Sequence, residues 1–99
     1  MPKLNPDEIT AKLRTLPGWE LKGDAVVKQY TFKEFMGGIR FINRIAEIAE
    51  RMDHHPDMTV NYRRITFTLS THDQGGITEK DFKLANAIEN EFTEFTKKS

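Results

Sequence analysis

The stretch "DMTVNYRRITFTLSTH", residues 57–72, decides how this chain folds. Met58, Val60 and Tyr62 alternate with polar residues, and Ile65, Phe67 and Leu69 do so again after two arginines. Side chains change face with every residue of a strand, so this period of two marks two strands of a hairpin. Both apolar sets should face one core. Pairing Tyr62 with Ile65 across an Arg63-Arg64 turn achieves this, with Val60 opposite Phe67 and Met58 opposite Leu69; a slip of one would set apolar against polar positions. Two arginines suit a type I′ turn poorly, since it favours Asn-Gly, so a looser loop is expected. Extended past Pro56, which interrupts the ladder, the register sets His55 opposite His72 and His54 near Asp73. The three histidines of the chain should therefore converge at one end of this hairpin.

Outward from the hairpin, the pattern changes to a helical period. "NPDEITAKLRTL" (5–16) opens with Asn5 as N-cap, Pro6 at the first helical position and Glu8 at the third, a capping box. Ile9, Leu13 and Leu16 share a face, and "PGW" stops the helix. "WELKGDAVVKQY" (19–30) reads as a hairpin about Gly23-Asp24. "TFKEFMGGIRFINRIAEIAERM" (31–52) reads as a long helix with Thr31 and Glu34 as a second capping box. It carries two apolar stripes, Phe35-Ile39-Ile42-Ala46-Ala49 and Phe41-Ile45-Ile48-Met52, and one of them needs a partner beyond the sheet. After Gly75-Gly76 a last helix starts at Thr78, with Asp81 three residues on and Phe82, Ala85, Ile88, Phe92 and Phe95 as its apolar face. The order α-β-β-α-β-β-α predicts an α+β fold, a four-stranded antiparallel sheet with helices packed on one face.

Ninety-nine residues suit a single domain, 1–99, without linker or repeat. Fifteen Lys plus Arg balance fifteen Asp plus Glu, which argues against direct nucleic-acid binding. The absence of cysteine excludes disulfides, thiolate metal sites and a cysteine nucleophile. No apolar run matches a membrane span or a secretory segment, so a cytoplasmic protein is expected. Neither a Gly-rich phosphate loop nor a G-x-S-x-G elbow occurs.

Each histidine taken alone has a plain explanation. His54 and His55 would end the long helix, where a cation suits the dipole and Pro56 stops propagation, and His72 would be a polar strand end. Their expected convergence favours function. Glu50 lies one turn before His54 and can reach the same face. A metal site is disfavoured, because adjacent histidines seldom turn both rings to one ion and the i, i+4 spacing is missing. Proton transfer to a small molecule near neutral pH fits better.

The spaced set Glu50, His54, His55, Pro56, Tyr62, His72 and Asp81, in "ERMDHHPDMTVNY" followed by "STHD", resembles the signature of the pterin-4a-carbinolamine dehydratases. The resemblance covers nearly the whole chain and the element order agrees with it. It implies dehydration of 4a-hydroxytetrahydropterin to quinonoid dihydropterin, recycling the cofactor of an aromatic amino acid hydroxylase, with no metal and no cofactor of its own. It implies proton transfer by His54 and His72, pterin binding or polarisation by His55, and supporting roles for Glu50 (orienting His54), Pro56 and Asp81. Asp81 reads equally as the third residue of a helix cap with Thr78. Trp19 reads as core more readily than as a pterin contact. The resemblance also implies a homo-oligomer, dimer or tetramer, joined through sheet edges and long helices. The alternative it carries is a non-catalytic dimerisation cofactor for a transcription regulator.

Overall fold

The computed structural model describes residues 2–97. Its elements run α1 (Pro6–Leu13), β1 (Glu20–Lys22), β2 (Ala25–Thr31), α2 (Phe35–Met52), β3 (Asp57–Asn61), β4 (Arg64–Leu69), a 3₁₀ turn (His72–Gln74) and α3 (Glu79–Lys97). The sheet is antiparallel throughout, in the order β1-β2-β4-β3. The α+β order α-β-β-α-β-β-α is the one expected from the sequence.

Register explains why the helices share one face. Val26 pairs with Leu69, and Tyr30 with Ile65, so these side chains and Phe67 point the same way, and all five are buried. They meet Phe41 and Ile45 of α2 and Leu84 and Ile88 of α3 in one core. The other face carries Gln29, Thr59, Thr66 and Thr68, none of them buried. Gly38 brings α2 close to the sheet: a Cβ there would lie 2.8 Å from Ile65 Cδ1 and 3.4 Å from the Phe32 ring. The Asn5 capping box forms in full, with Glu8 N–H on Asn5 Oδ1 and Asn5 N–H on Glu8 Oε1, both at 2.9 Å. Trp19 is a core residue whose Nε1 donates to Glu89 Oε1 at 3.2 Å.

Four expectations need correction. The β3–β4 turn is Tyr62-Arg63, not Arg63-Arg64, so Val60 faces Ile65 and Met58 faces Phe67. Tyr62 makes this possible by taking a left-handed φ of 56°, an unusual conformation for a bulky residue. The face assignments survive because the shift is an even one. Second, Met58 and Val60 share the core face but stay 39% and 45% exposed, because β3 is an edge strand that no helix covers. Third, Thr31 caps nothing: it pairs with Arg64 in the sheet, and α2 begins after Glu34 without a side-chain cap. Fourth, the buried face of α2 runs between the two stripes, through Gly38, Phe41, Ile45 and Ala49. Ile48 and Met52 pack half-buried against the core, whereas Phe35 and Ala46 are left exposed.

Candidate active site

The end of α2 sets the two adjacent histidines. Asp53 takes left-handed angles (φ 52°, ψ 42°), its N–H reaching Glu50 O at 3.2 Å while His54 N–H reaches Ala49 O at 3.1 Å. This 6→1 and 5→2 pair is a Schellman ending, with Asp in the place glycine usually holds. It turns the chain sharply enough to separate neighbouring side chains. His54 goes inward and is 11% exposed, whereas His55 stays outside. Pro56 follows, half-buried, and confines His55 to extended conformations.

Each of these rings finds a different carboxylate. His54 Nε2 meets Asp81 Oδ1 at 2.6 Å. His55 Nε2 bonds Glu50 Oε2 on the surface. The expected link between Glu50 and His54 is therefore replaced: Glu50 holds His55, and Asp81 holds His54. The reason is the Schellman turn, which points His54 away from its own helix and toward α3.

Asp81 is fully buried, and its charge is matched by hydrogen bonds. Oδ2 accepts Thr78 N–H at 2.9 Å and Thr71 Oγ1 at 2.8 Å. The capping bond to Thr78 and the bond to His54 coexist, one on each carboxylate oxygen. Thr71 Oγ1 also lies 2.8 Å from Thr78 Oγ1, which accepts Lys80 N–H at 3.2 Å. Thr71 itself is fixed by a bridge to Gly76 that closes the loop around the 3₁₀ turn. His72 opens that turn, exposed, and neither carboxylate reaches it.

A cleft of about 410 Å³ joins these parts, lined by His54, His55 and His72 with Ser70, Thr71 and Lys80 among others. The volume is within the range of small-molecule sites. The histidines converge as expected, although the register that suggested it was off by two residues. Pro56 does not line the cleft. Tyr62 lies at the far end of the hairpin, 67% exposed and stacked on Phe35 with ring centroids 6.2 Å apart. A larger cavity of about 590 Å³ sits between Phe32, Arg40 and Phe95 and contains no histidine. Acid–base groups single out the smaller cleft. Among the described residues, no three His, Asp or Glu side chains are grouped to hold a metal. Thr71 carries no sequence signal beyond its position beside His72 in "STHD".

The sequence and fold have counterparts among known proteins. A family model described as pterin 4 alpha carbinolamine dehydratase matches residues 2–91. A protein of Thermosynechococcus vestitus named "Putative pterin-4-alpha-carbinolamine dehydratase" is 48% identical over 88 residues, covering 89% of this chain and 93% of its own. One of the same name from Mycobacteroides abscessus is 49% identical over 89 residues, 90% of this chain and 95% of its own. The crystal structure of a transcriptional coactivator/pterin dehydratase from Brucella melitensis superposes with a TM-score of 0.86 at 35% identity, covering 90% of this chain and 97% of that one. A pterin dehydratase-like RuBisCO assembly factor of the alpha-carboxysome shares the fold alone, with a TM-score of 0.60 at 18% identity over 74% of this chain and 84% of that one. With a family match spanning most of its length and relatives near half identical, this chain belongs to the pterin-4a-carbinolamine dehydratase family.

Proposed function

We propose that this protein, acting as one domain over residues 1–99, dehydrates 4a-hydroxytetrahydropterin. The reaction breaks the C4a–O bond and the N5–H bond, forms the C4a=N5 double bond of quinonoid dihydropterin, and releases water. It needs a base at N5 and an acid at the departing oxygen. The observation that carries this reading is the cleft lined by three imidazoles, of which one is braced from inside by a buried carboxylate. His54 and His72 exchange the two protons. His55, steadied by Glu50, binds or polarises the pterin. The physiological setting is recycling of the pterin used by an aromatic amino acid hydroxylase, in the cytoplasm.

A second reading, a dimerisation cofactor for a transcription regulator, draws on the apolar face that β3 and the start of α2 leave uncovered. That role needs none of the three histidines. Direct assay of carbinolamine dehydration by the purified protein separates the two. His54→Ala and His72→Ala should each lower kcat by roughly 10²–10⁴, and His55→Ala should weaken binding at least as much as turnover. Wild-type kcat retained by His54→Ala across neutral pH would refute the proton-transfer role.

A further inference from the structure

We infer that Thr71 and Thr78 are positioning residues which, through Asp81, hold His54 with its hydrogen on Nε2 and leave Nδ1 to exchange a proton with the substrate. The part played by Nδ1 rests on the dehydratase reading; the tautomer does not.

Two donors are backbone groups and cannot reverse: Thr78 N–H on Asp81 Oδ2, and Lys80 N–H on Thr78 Oγ1. Thr71 Oγ1 lies between Thr78 Oγ1 and Asp81 Oδ2, at 2.8 Å from each. Both threonines are buried, so each hydroxyl hydrogen needs an acceptor. If Thr71 donated to Thr78, the Thr78 hydrogen would have no acceptor among its described partners. Run the other way, Thr78 donates to Thr71 and Thr71 donates to Asp81, and both hydrogens are placed. Oδ2 is then an acceptor twice over, and a carboxyl hydrogen could sit only on Oδ1, against the His54 ring. With two donors already directed at Oδ2, the carboxylate form is the one its surroundings hold, and Asp81 is the accepting partner of the ring. The hydrogen in the 2.6 Å contact therefore belongs to Nε2.

Nδ1 remains as the nitrogen with no hydrogen-bond partner among the described residues, on a ring that lines the cleft. In turnover it takes a proton from the substrate nitrogen or gives one to the departing oxygen. The Nε2–H bond never breaks, and Asp81 accepts it throughout. A helix cap alone would need Thr78 N–H on Asp81 but would make no use of the Thr71 hydroxyl.

The test uses the full chain labelled with ¹⁵N-histidine and two-bond ¹H–¹⁵N correlation at alkaline pH, where the rings are neutral. Wild-type His54 should show the Nε2–H pattern. In Asp81→Asn the amide oxygen must stay on Thr78 N–H and the Thr71 hydroxyl, so its NH₂ faces His54 and the hydrogen moves to Nδ1; turnover should fall roughly 10²–10⁴-fold. Thr71→Val removes one of the two donors that hold Oδ2, so the carboxylate can swing away from Nε2, giving mixed tautomers and about a 10–100-fold loss of kcat. Thr71→Ser should restore both. An Nδ1–H pattern in the wild type overturns the inference, and that spectrum decides whatever the stability of the variants. So does an Asp81→Asn ring that keeps Nε2–H, or a Thr71→Val protein equal to wild type in tautomer and kcat. A wild type with the expected tautomer and no dehydration would refute the dehydratase reading while the tautomer assignment stands.

Discussion

Glu89 is where a single residue does most for the core. Its Oε1 accepts from Trp19 Nε1, Lys28 Nζ and Tyr30 Oη, tying α3 to β2 and to the loop before β1. Burial pushes the Tyr30 phenol far above its ordinary value, and the hydrogen bond to Glu89 and that residue's charge push the same way. A pKa raised on folding stabilises fully below the unfolded value and less as pH rises beyond it, because only the unfolded chain then ionises. Stability should accordingly fall as pH climbs past about 10. Tyr30→Phe should cost about 1 kcal/mol at neutral pH through the lost hydrogen bond, yet decline less steeply between pH 8 and 11. Urea midpoints for both proteins at the two pH values check this; parallel declines would refute it. The residues of the site were unequally legible. Asp81 could be read as a cap because capping is local, three residues apart along one chain. Its grip on His54 joins residues 27 apart and depends on the left-handed turn at Asp53, an angle that no spacing rule reveals. The same turn gives Glu50 to His55 and not to His54, which spacing along a helix does not show.

Among the elements, α2 shows how finely the fold depends on which glycine is where. Gly37 and Gly38 are neighbours with the same helical backbone cost, about 1 kcal/mol relative to alanine. A Cβ on Gly37 would have only Arg40 Nη2 nearby, at 3.9 Å. On Gly38 it would press into Ile65, in a core where overpacking costs about 1–3 kcal/mol. Gly37→Ala should raise Tm and Gly38→Ala should lower it by several degrees, about 4–8 °C per kcal/mol for a domain of this size. Differential scanning of the pair tests it, and a Gly38→Ala protein as stable as Gly37→Ala would show that α2 is not held at that distance by Ile65. Element types and order were legible because alternation and the 3.6 period are local patterns in the chain. The β3–β4 register was not: rules for tight turns favour Asn and Gly, and nothing local says that Tyr62 will accept a positive φ. The Thr31 cap failed because strand pairing with Arg64 took that residue first.

At the scale of the whole molecule, the two edges of the sheet differ. β1 is three residues long, too short to invite pairing, whereas β3 offers five exposed residues with Met58 and Val60 on its helix side. Beside it stand exposed Phe35, Met36 and Ala46 of α2, with Ile39 and Ile42 half-buried. A long edge next to an apolar helix flank is a surface that soluble chains cover. We propose that a second copy covers it, giving the dimer or tetramer that the family resemblance implies. The stripe left over is Phe35-Ile39-Ile42-Ala46 and not Phe41-Ile45, whose side chains are wholly inside the chain. Ile45→Glu would therefore unfold the protein and say nothing about assembly. Val60→Glu with Met58→Glu is the informative change: both residues, though on the helix side of the sheet, are 45% and 39% exposed in the single chain, so a charge there reaches water and leaves the fold intact, but it would be stranded in a subunit contact. Light scattering should give the wild type a multiple of the 11.5 kDa chain mass, and the double variant a single chain with unchanged circular dichroism. A wild type of one chain at micromolar concentration would refute the covering copy, as would a folded double variant that keeps the wild-type mass.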